Sequence, residues 1–138
     1  LPSSLIKMAY RMKGVEKLSL VSDAMRASGL GPGEYEVGGL KALVEEGGGV
    51  AILPDRTAFA GSISTMLQCL QHVVLVVGLA LGDALQMATW TPARIMGVAD
   101  RVGQIAPGCY ADLLILDRLD LAPRLIMLGG QPAGGCGL

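Results

Sequence analysis

The stretch SSLIKMAYRMKGVEKLSLVSDAM, residues 3–25, decides the reading of the fold. Ser3 or Ser4 offers a cap, and Leu5, Ile6, Ala9, Tyr10 and Met12 recur at helical spacing as far as Gly14, so a helix is expected over Leu5–Lys13. Lys17-Leu18-Ser19-Leu20-Val21-Ser22 then reads as a short buried strand ending at Asp23. Helix, tight connection, strand and an acid at the strand's carboxyl end is the local grammar of an α/β barrel, whose reactive face lies at that end. This placement lifts Asp23 above the other eleven acidic residues. Taken alone, an aspartate before a glycine-rich segment also suits a turn or a helix cap. A functional reading needs a partner for it, such as a metal-bound water whose proton the carboxylate takes.

Outward from this stretch, Ala27 to Asp55 is punctuated by Gly31-Pro32-Gly33, Gly38-Gly39 and Gly47-Gly48-Gly49. Between them lie the β-prone runs Glu34–Val37, Leu40–Glu45 and Val50–Leu53, read as short antiparallel strands joined by turns. Ser62 or Ser64 is placed to cap a helix over Thr65–Val77, and Leu81–Thr89 reads as another starting near Gly82-Asp83. Thr91-Pro92 restarts a short helix through Met96, with threonine as cap and proline at the first helical position. The last third returns to strands over Gly103–Ala106, Ala111–Asp117 and Leu125–Leu128, with a Pro107-Gly108 turn between the first two and a frayed end over 129–138. No internal repeat is apparent.

A chain of 138 residues builds one respectable core. Eleven basic residues stand against twelve acidic ones, and neither sign clusters, which argues against nucleic acid or an anionic membrane as partner. An apolar fraction of 51% with only 17% charged residues and twenty glycines suits strands and tight turns whose surfaces are mostly covered, so the chain alone should be sticky. Cys69, Cys109 and Cys136 are odd in number and show no C-x-x-C spacing, the pattern of reduced thiols in a cytoplasmic protein. Val73–Leu81, the longest apolar stretch, falls well short of the roughly 20 residues of a membrane span. The opening residues do not read as a signal peptide, and the lack of an initiating methionine points to truncation.

Few other residues carry chemistry. His72 is the only histidine and lies within an apolar helix, where with Cys69 at i and i+3 it would supply two ligands at most, against the three that catalytic zinc usually takes. Phe59-Ala60-Gly61-Ser62 reads as a short loop entering a helix, an entrance that presents backbone N–H groups to an anion or a sugar hydroxyl but is also what any capped helix start looks like. The glycine clusters lack the Gly-Lys-Ser/Thr of a phosphate loop. Trp90, Tyr10, Tyr35 and Tyr110 are too scattered to form a stacking platform.

Taken together, the segments resemble a known family. LSLVSDAM (18–25), GEYEVGGL (33–40), LPDRTAFAGS (53–62), ATWTPARIMG (88–97) and GQIAPGCYADLLILD (103–117) follow one another in the order found in N-acetylglucosamine-6-phosphate deacetylases. The TPAR and ADLLILD segments are shared across the amidohydrolase superfamily; the first three narrow the resemblance to the sugar deacetylases. It implies an α/β fold, the C-terminal part of a metal-dependent (β/α)8 barrel plus strands of a small β-sandwich domain. On this resemblance 1–100 close the barrel, with a β-hairpin insertion at about 34–54, and 101–138 are strands of the small domain. Asp23 would be the general base and acid, taking a proton from a metal-bound water as it attacks the acetamide and returning it to the amine. Phe59, Ala60 and Gly61 match the segment that contacts the amino-sugar phosphate. The resemblance further implies a divalent metal, zinc or iron, a homodimer and a cytoplasmic setting.

One departure is large. Such enzymes hold their metal with a His-x-His pair near the first strand, a glutamate mid-barrel and two later histidines, and this sequence has no counterpart to any of them. A substrate-contacting histidine would be expected just before Leu1. The chain is therefore expected to be a truncated portion, inactive by itself. Rival readings are another amidohydrolase, dihydroorotase-like or deaminase, and a non-catalytic β-domain or assembly module.

Overall fold

A computed structural model describes residues 1–47 and 49–133. Gly48, within the expected 47–49 turn, and residues 134–138, within the expected frayed end, lie outside the described residues. The chain divides into two compact units, one formed by Val21–Cys69 and the other by Leu1–Leu20 with Leu70–Leu138.

The Val21–Cys69 unit is an antiparallel sheet of four strands in sequence order, β1 (Gly33–Val37), β2 (Leu40–Val44), β3 (Val50–Ile52) and β4 (Phe59–Ser62). Val37 pairs with Leu40, leaving Gly38-Gly39 as a two-residue hairpin loop with φ of +58° and +81°. Both central residues of that turn need positive φ to match the twist of the flanking strands, a demand glycine meets without a steric cost. Alternation then sorts the faces. Ala42, Val44 and Ala51 are buried with Ala27, and Met25, Tyr35, Val37, Ala60 and Ile63 pack against them. Glu34, Glu36 and Lys41 are exposed, and Glu36 sits opposite Lys41 across the ladder. The first three strands lie within a residue or two of their expected positions. β4 differs: Phe59–Ser62 is a strand, not a loop entering a helix, because Val50, Ala51 and Ile52 supply a ladder partner that local sequence does not reveal. The helix entrance comes later. Thr65 and Gln68 form a reciprocal capping pair, the Gln68 N–H donating to Thr65 Oγ1 at 3.2 Å and the Thr65 N–H to Gln68 Oε1 at 2.8 Å. Thr65, rather than Ser62 or Ser64, therefore caps the helix.

In the other unit α1 (Ser3–Lys13) turns Ile6 and Tyr10 onto a core of Leu70, Val73, Val77, Leu79, Ala84, Met87 and Leu121. Its N-cap position is Pro2, whose carbonyl accepts the Leu5 N–H at 3.0 Å, so Ser3 and Ser4 lie inside the helix and do not cap it. Gly14 ends it as expected, its N–H donating to Tyr10 O at 2.9 Å. The Tyr10 hydroxyl donates to Asp83 in the first turn of α3 (Leu81–Ala88), and this bond, with desolvation and the carboxylate's charge, holds the phenol above the usual tyrosine range.

Four further expectations are corrected. Residues 17–22 form no ladder among the described residues; Leu20 N–H donates instead to Met87 O at 2.9 Å. A parallel strand is held by neighbours reached through long crossovers, and every ladder between strands of the described chain is antiparallel. The helix expected over 65–77 is α2 (Met66–Gln71) followed by a π-helical turn, His72–Val76. Gly103–Ala106 forms no strand: Gly103 takes φ +88°, outside the β region, at a point where an added Cβ would come within 2.7 Å of Ala93 Cβ and 2.9 Å of Thr89 O. Thr91 does not cap α4 (Trp90–Ile95), which begins one residue earlier.

Thr91 has a different task. It is fully buried, and its hydroxyl donates to Val15 O at 2.7 Å, joining positions 76 residues apart. Arg94, lying over the Trp90 ring at 4.9 Å, donates to the neighbouring Glu16 carbonyl. Replacing Thr91 with valine keeps the shape but strands a peptide carbonyl, so Thr91→Val is expected to lower stability by about 1–3 kcal/mol. A urea titration comparing midpoints checks this, with no shift as the contrary result.

The unit ends in a three-stranded antiparallel sheet, β5 (Leu113–Leu116), β6 (Pro123–Leu128) and β7 (Gln131–Pro132). The β5–β6 connection is tied by Asp117, which accepts the Leu119 N–H at 2.8 Å and pairs with Arg124 at 2.7 Å, holding its carboxyl below the usual range. Leu121 in this turn takes φ +58°, unusual for a branched residue. It is 1% exposed, and burial of such a side chain stabilises by roughly 1.5–3 kcal/mol, enough to offset the backbone cost.

Candidate functional site

Asp23 lies in the Val21–Cys69 unit, ten residues after the end of α1, and its side chain is exposed. Its φ of +48° is one of three positive values at non-glycine residues among those described. Aspartate tolerates this region better than most residues, and backbone held there recurs at functional sites. Directly after it, Ala24 forms a parallel bridge with Ser62, and the Met25 N–H donates to Ser62 O at 2.8 Å. β4 is the last strand of its sheet, so one edge of its backbone is not used by β3; at Ser62 that edge receives the segment carrying Asp23.

The fold thereby brings together two segments that are far apart in sequence, Asp23 and Phe59-Ala60-Gly61. Phe59 is 78% exposed and pairs with Ile52 beyond an irregularity in the ladder, while Ala60 and Gly61 are half-buried. Gly61 allows a close approach: a Cβ there would stand 3.4 Å from both Met25 Cβ and Met25 Sδ. Met25 and Ser62 are thus part of this constellation, although neither stood out as a site residue. Their signal was contained in the LVSDAM and FAGS segments, but an apolar residue and a backbone carbonyl carry no chemical flag.

His72 is exposed, Cys69 is partly buried, and burial pushes the Cys69 thiol up, away from the thiolate that binds metal or attacks. Cys136 lies outside the described residues. A shallow depression lined by Leu40, Lys41, Leu53, Pro54 and Asp55 includes none of residues 21–25 or 59–62. Among the described residues no group of three or more His, Cys, Asp or Glu side chains is arranged to hold a metal ion, so these residues do not by themselves fit the divalent metal that the resemblance implies. No helix of the described residues is long and apolar enough to cross a membrane.

Comparison with known proteins gives a consistent picture. The chain is 33% identical over 124 residues to the N-acetylglucosamine-6-phosphate deacetylase of Lysinibacillus sphaericus, covering 90% of this chain and 31% of that protein. Against the Bacillus subtilis deacetylase it is 37% identical over 110 residues, covering 80% of this chain and 27% of the relative. Among solved structures, the Pasteurella multocida deacetylase superposes with a TM-score of 0.88 at 25% identity, over 98% of this chain and 34% of that one. An aspartate-to-alanine mutant of the Mycobacterium smegmatis deacetylase, in complex with N-acetyl-D-glucosamine-6-phosphate, superposes with a TM-score of 0.82 at 34% identity, over 96% of this chain and 34% of that one. The chain thus spans about a third of the length of the relatives it matches. The model of the amidohydrolase family matches residues 14–132, nearly the whole chain, and the chain belongs to that family.

Proposed function

We infer that this chain is the C-terminal portion of a hydrolase that cleaves N-acetylglucosamine 6-phosphate to glucosamine 6-phosphate and acetate. The observation that carries the reading is the junction of Asp23 with β4: an exposed carboxylate in left-handed backbone, bonded through its neighbours to the strand that bears Phe59, Ala60 and Gly61. The likeness to deacetylases along most of the chain supports the substrate class.

In this proposal Asp23 accepts a proton from the attacking water through a carboxylate oxygen and returns it to the departing amine, while Phe59-Ala60-Gly61 lie along the amino sugar. The divalent metal, zinc or iron, belongs to ligands that the described residues do not supply, and when bound it would polarise the acetamide. Residues 1–100, with the hairpin at about 34–54, would close the (β/α)8 barrel, and 101–138 would be strands of the small β-domain. Segment 17–22 would then gain the strand neighbours it lacks here. A cytoplasmic homodimer completes the proposal.

The test is a set of turnover assays on the complete gene product, loaded with zinc or iron: acetate release from N-acetylglucosamine 6-phosphate, ring opening of dihydroorotate and ammonia release from nucleobase analogues. Turnover of the sugar phosphate alone is expected, and turnover of only a ring amide would replace this reading with another amidohydrolase. The 138-residue chain incubated with either metal should release no acetate above background. Metal-dependent release at a rate near that of the complete protein would overturn the assignment of the metal site to other residues.

A further inference from the structure

Among the described residues, the Asp23 carboxylate takes part in none of the side-chain hydrogen bonds or ion pairs, so the backbone that carries it is what fixes where its side chain starts. What holds that backbone lies two residues on. The Met25 N–H donates to Ser62 O at 2.8 Å, and Met25 O accepts the Ser28 N–H at 3.0 Å. The Met25 side chain is half-buried against the alanine-rich core of Ala27, Ala42, Val44 and Ala51. It also occupies the space left by the missing side chain of Gly61, whose Cβ would lie 3.4 Å from Met25 Cβ and Sδ and 3.5 Å from Cγ.

We propose that Met25, seated against Gly61, is a positioning residue for the deacetylation: it anchors the 23–25 segment on β4 and so aims the Asp23 carboxylate. The inference rests on the assignment of Asp23 as the proton carrier. The segment is bonded to this stretch through the Met25 N–H on Ser62 O and, three residues on, through the Ser28 hydroxyl, which donates to Ile63 O at 2.9 Å; the Met25 side chain adds a packed contact. Removing the side chain leaves these hydrogen bonds but empties the seat that holds the segment against β4, and a misplacement of about 1 Å at a reacting group costs about 100-fold in rate. Methionine suits the seat because its unbranched thioether fills irregular gaps. The core beneath, made largely of alanines, offers little else to grip.

The experiment is steady-state kinetics on the complete, metal-loaded protein, with thermal midpoints measured in parallel. Met25→Ala should lower kcat by about 10- to 100-fold with KM held within about 2-fold, while Met25→Leu, which conserves volume, should stay within about 3-fold of the parent. Gly61→Val pushes into the seat and should lower kcat. Adding Met25→Ala to Gly61→Val should then recover part of the loss. A rise in KM at unchanged kcat in Met25→Ala overturns the proposal, as does failure of the second substitution to relieve the first, since the valine would then be acting directly on the substrate. A kcat loss that Met25→Leu does not restore and that follows a fall in thermal midpoint overturns it in favour of a purely structural role. Asp23→Asn separates the two levels. Retention of kcat in that variant removes the Asp23 reading and the inference with it, whereas loss of kcat there beside an unaffected Met25→Ala removes only the inference.

Discussion

Asp23→Asn in the complete protein should lower kcat about 10²- to 10⁴-fold, the range that a positioned proton-transfer group contributes. Asparagine is the informative replacement because it occupies positive φ as readily as aspartate, so the +48° backbone is kept and only the proton-carrying oxygen is lost. The side chain is exposed, which gives no reason to expect a change in thermal midpoint beyond that of an ordinary surface substitution. An interaction made only in the transition state shows as equal losses in kcat and kcat/KM. Steady-state kinetics with N-acetylglucosamine 6-phosphate would reveal this, and a variant that keeps its kcat would make Asp23 the turn residue that its local sequence also fits.

The second large effect concerns stability. Gly103→Ala should destabilise by about 2–5 kcal/mol, adding roughly 1–2 for a side chain in the left-handed region to roughly 1–3 for overpacking. The clash is with groups that cannot easily move. Ala93 Cβ would be 2.7 Å away, and Thr89 O, at 2.9 Å, is the carbonyl that accepts the Ala93 N–H at 3.1 Å and so begins the α4 ladder. Gly97 provides the control. It has φ +70° but open space around its Cβ, so Gly97→Ala should show the backbone cost alone, about 1–2 kcal/mol. Guanidinium midpoints for the two variants decide the matter: equal shifts would mean that the tight packing at Gly103 contributes nothing.

Much of the fold was legible where local chemistry suffices. Two adjacent glycines between alternating runs specify a hairpin, and Gly38-Gly39 forms one with the expected strands on either side. Gly14 stops α1, and the Pro107-Gly108 turn closes with the Cys109 N–H on Ala106 O at 3.1 Å. Caps were less legible. Ser3, Ser4, Ser62, Ser64 and Thr91 are all capping types, yet the capping box formed at Thr65 and Gln68, and Thr91 was drawn inward to a carbonyl that only the folded chain brings near. A hydroxyl suits several roles equally well, and tertiary contacts select among them.

The candidate site divides along the same line. By itself the sequence determined that an acid follows an apolar β-prone run at Asp23, that a Phe-Ala-Gly-Ser motif stands at 59–62, and that the order of motifs is that of the sugar deacetylases. Only the tertiary structure decided that Phe59–Ser62 is a strand, that its outer edge receives Ala24 and Met25, and that Gly61 leaves room for the Met25 side chain. The physical reason is range. Turn and helix preferences act between residues a few positions apart, whereas the pairing of segments nearly forty residues apart depends on which backbone groups and surfaces the rest of the fold leaves available.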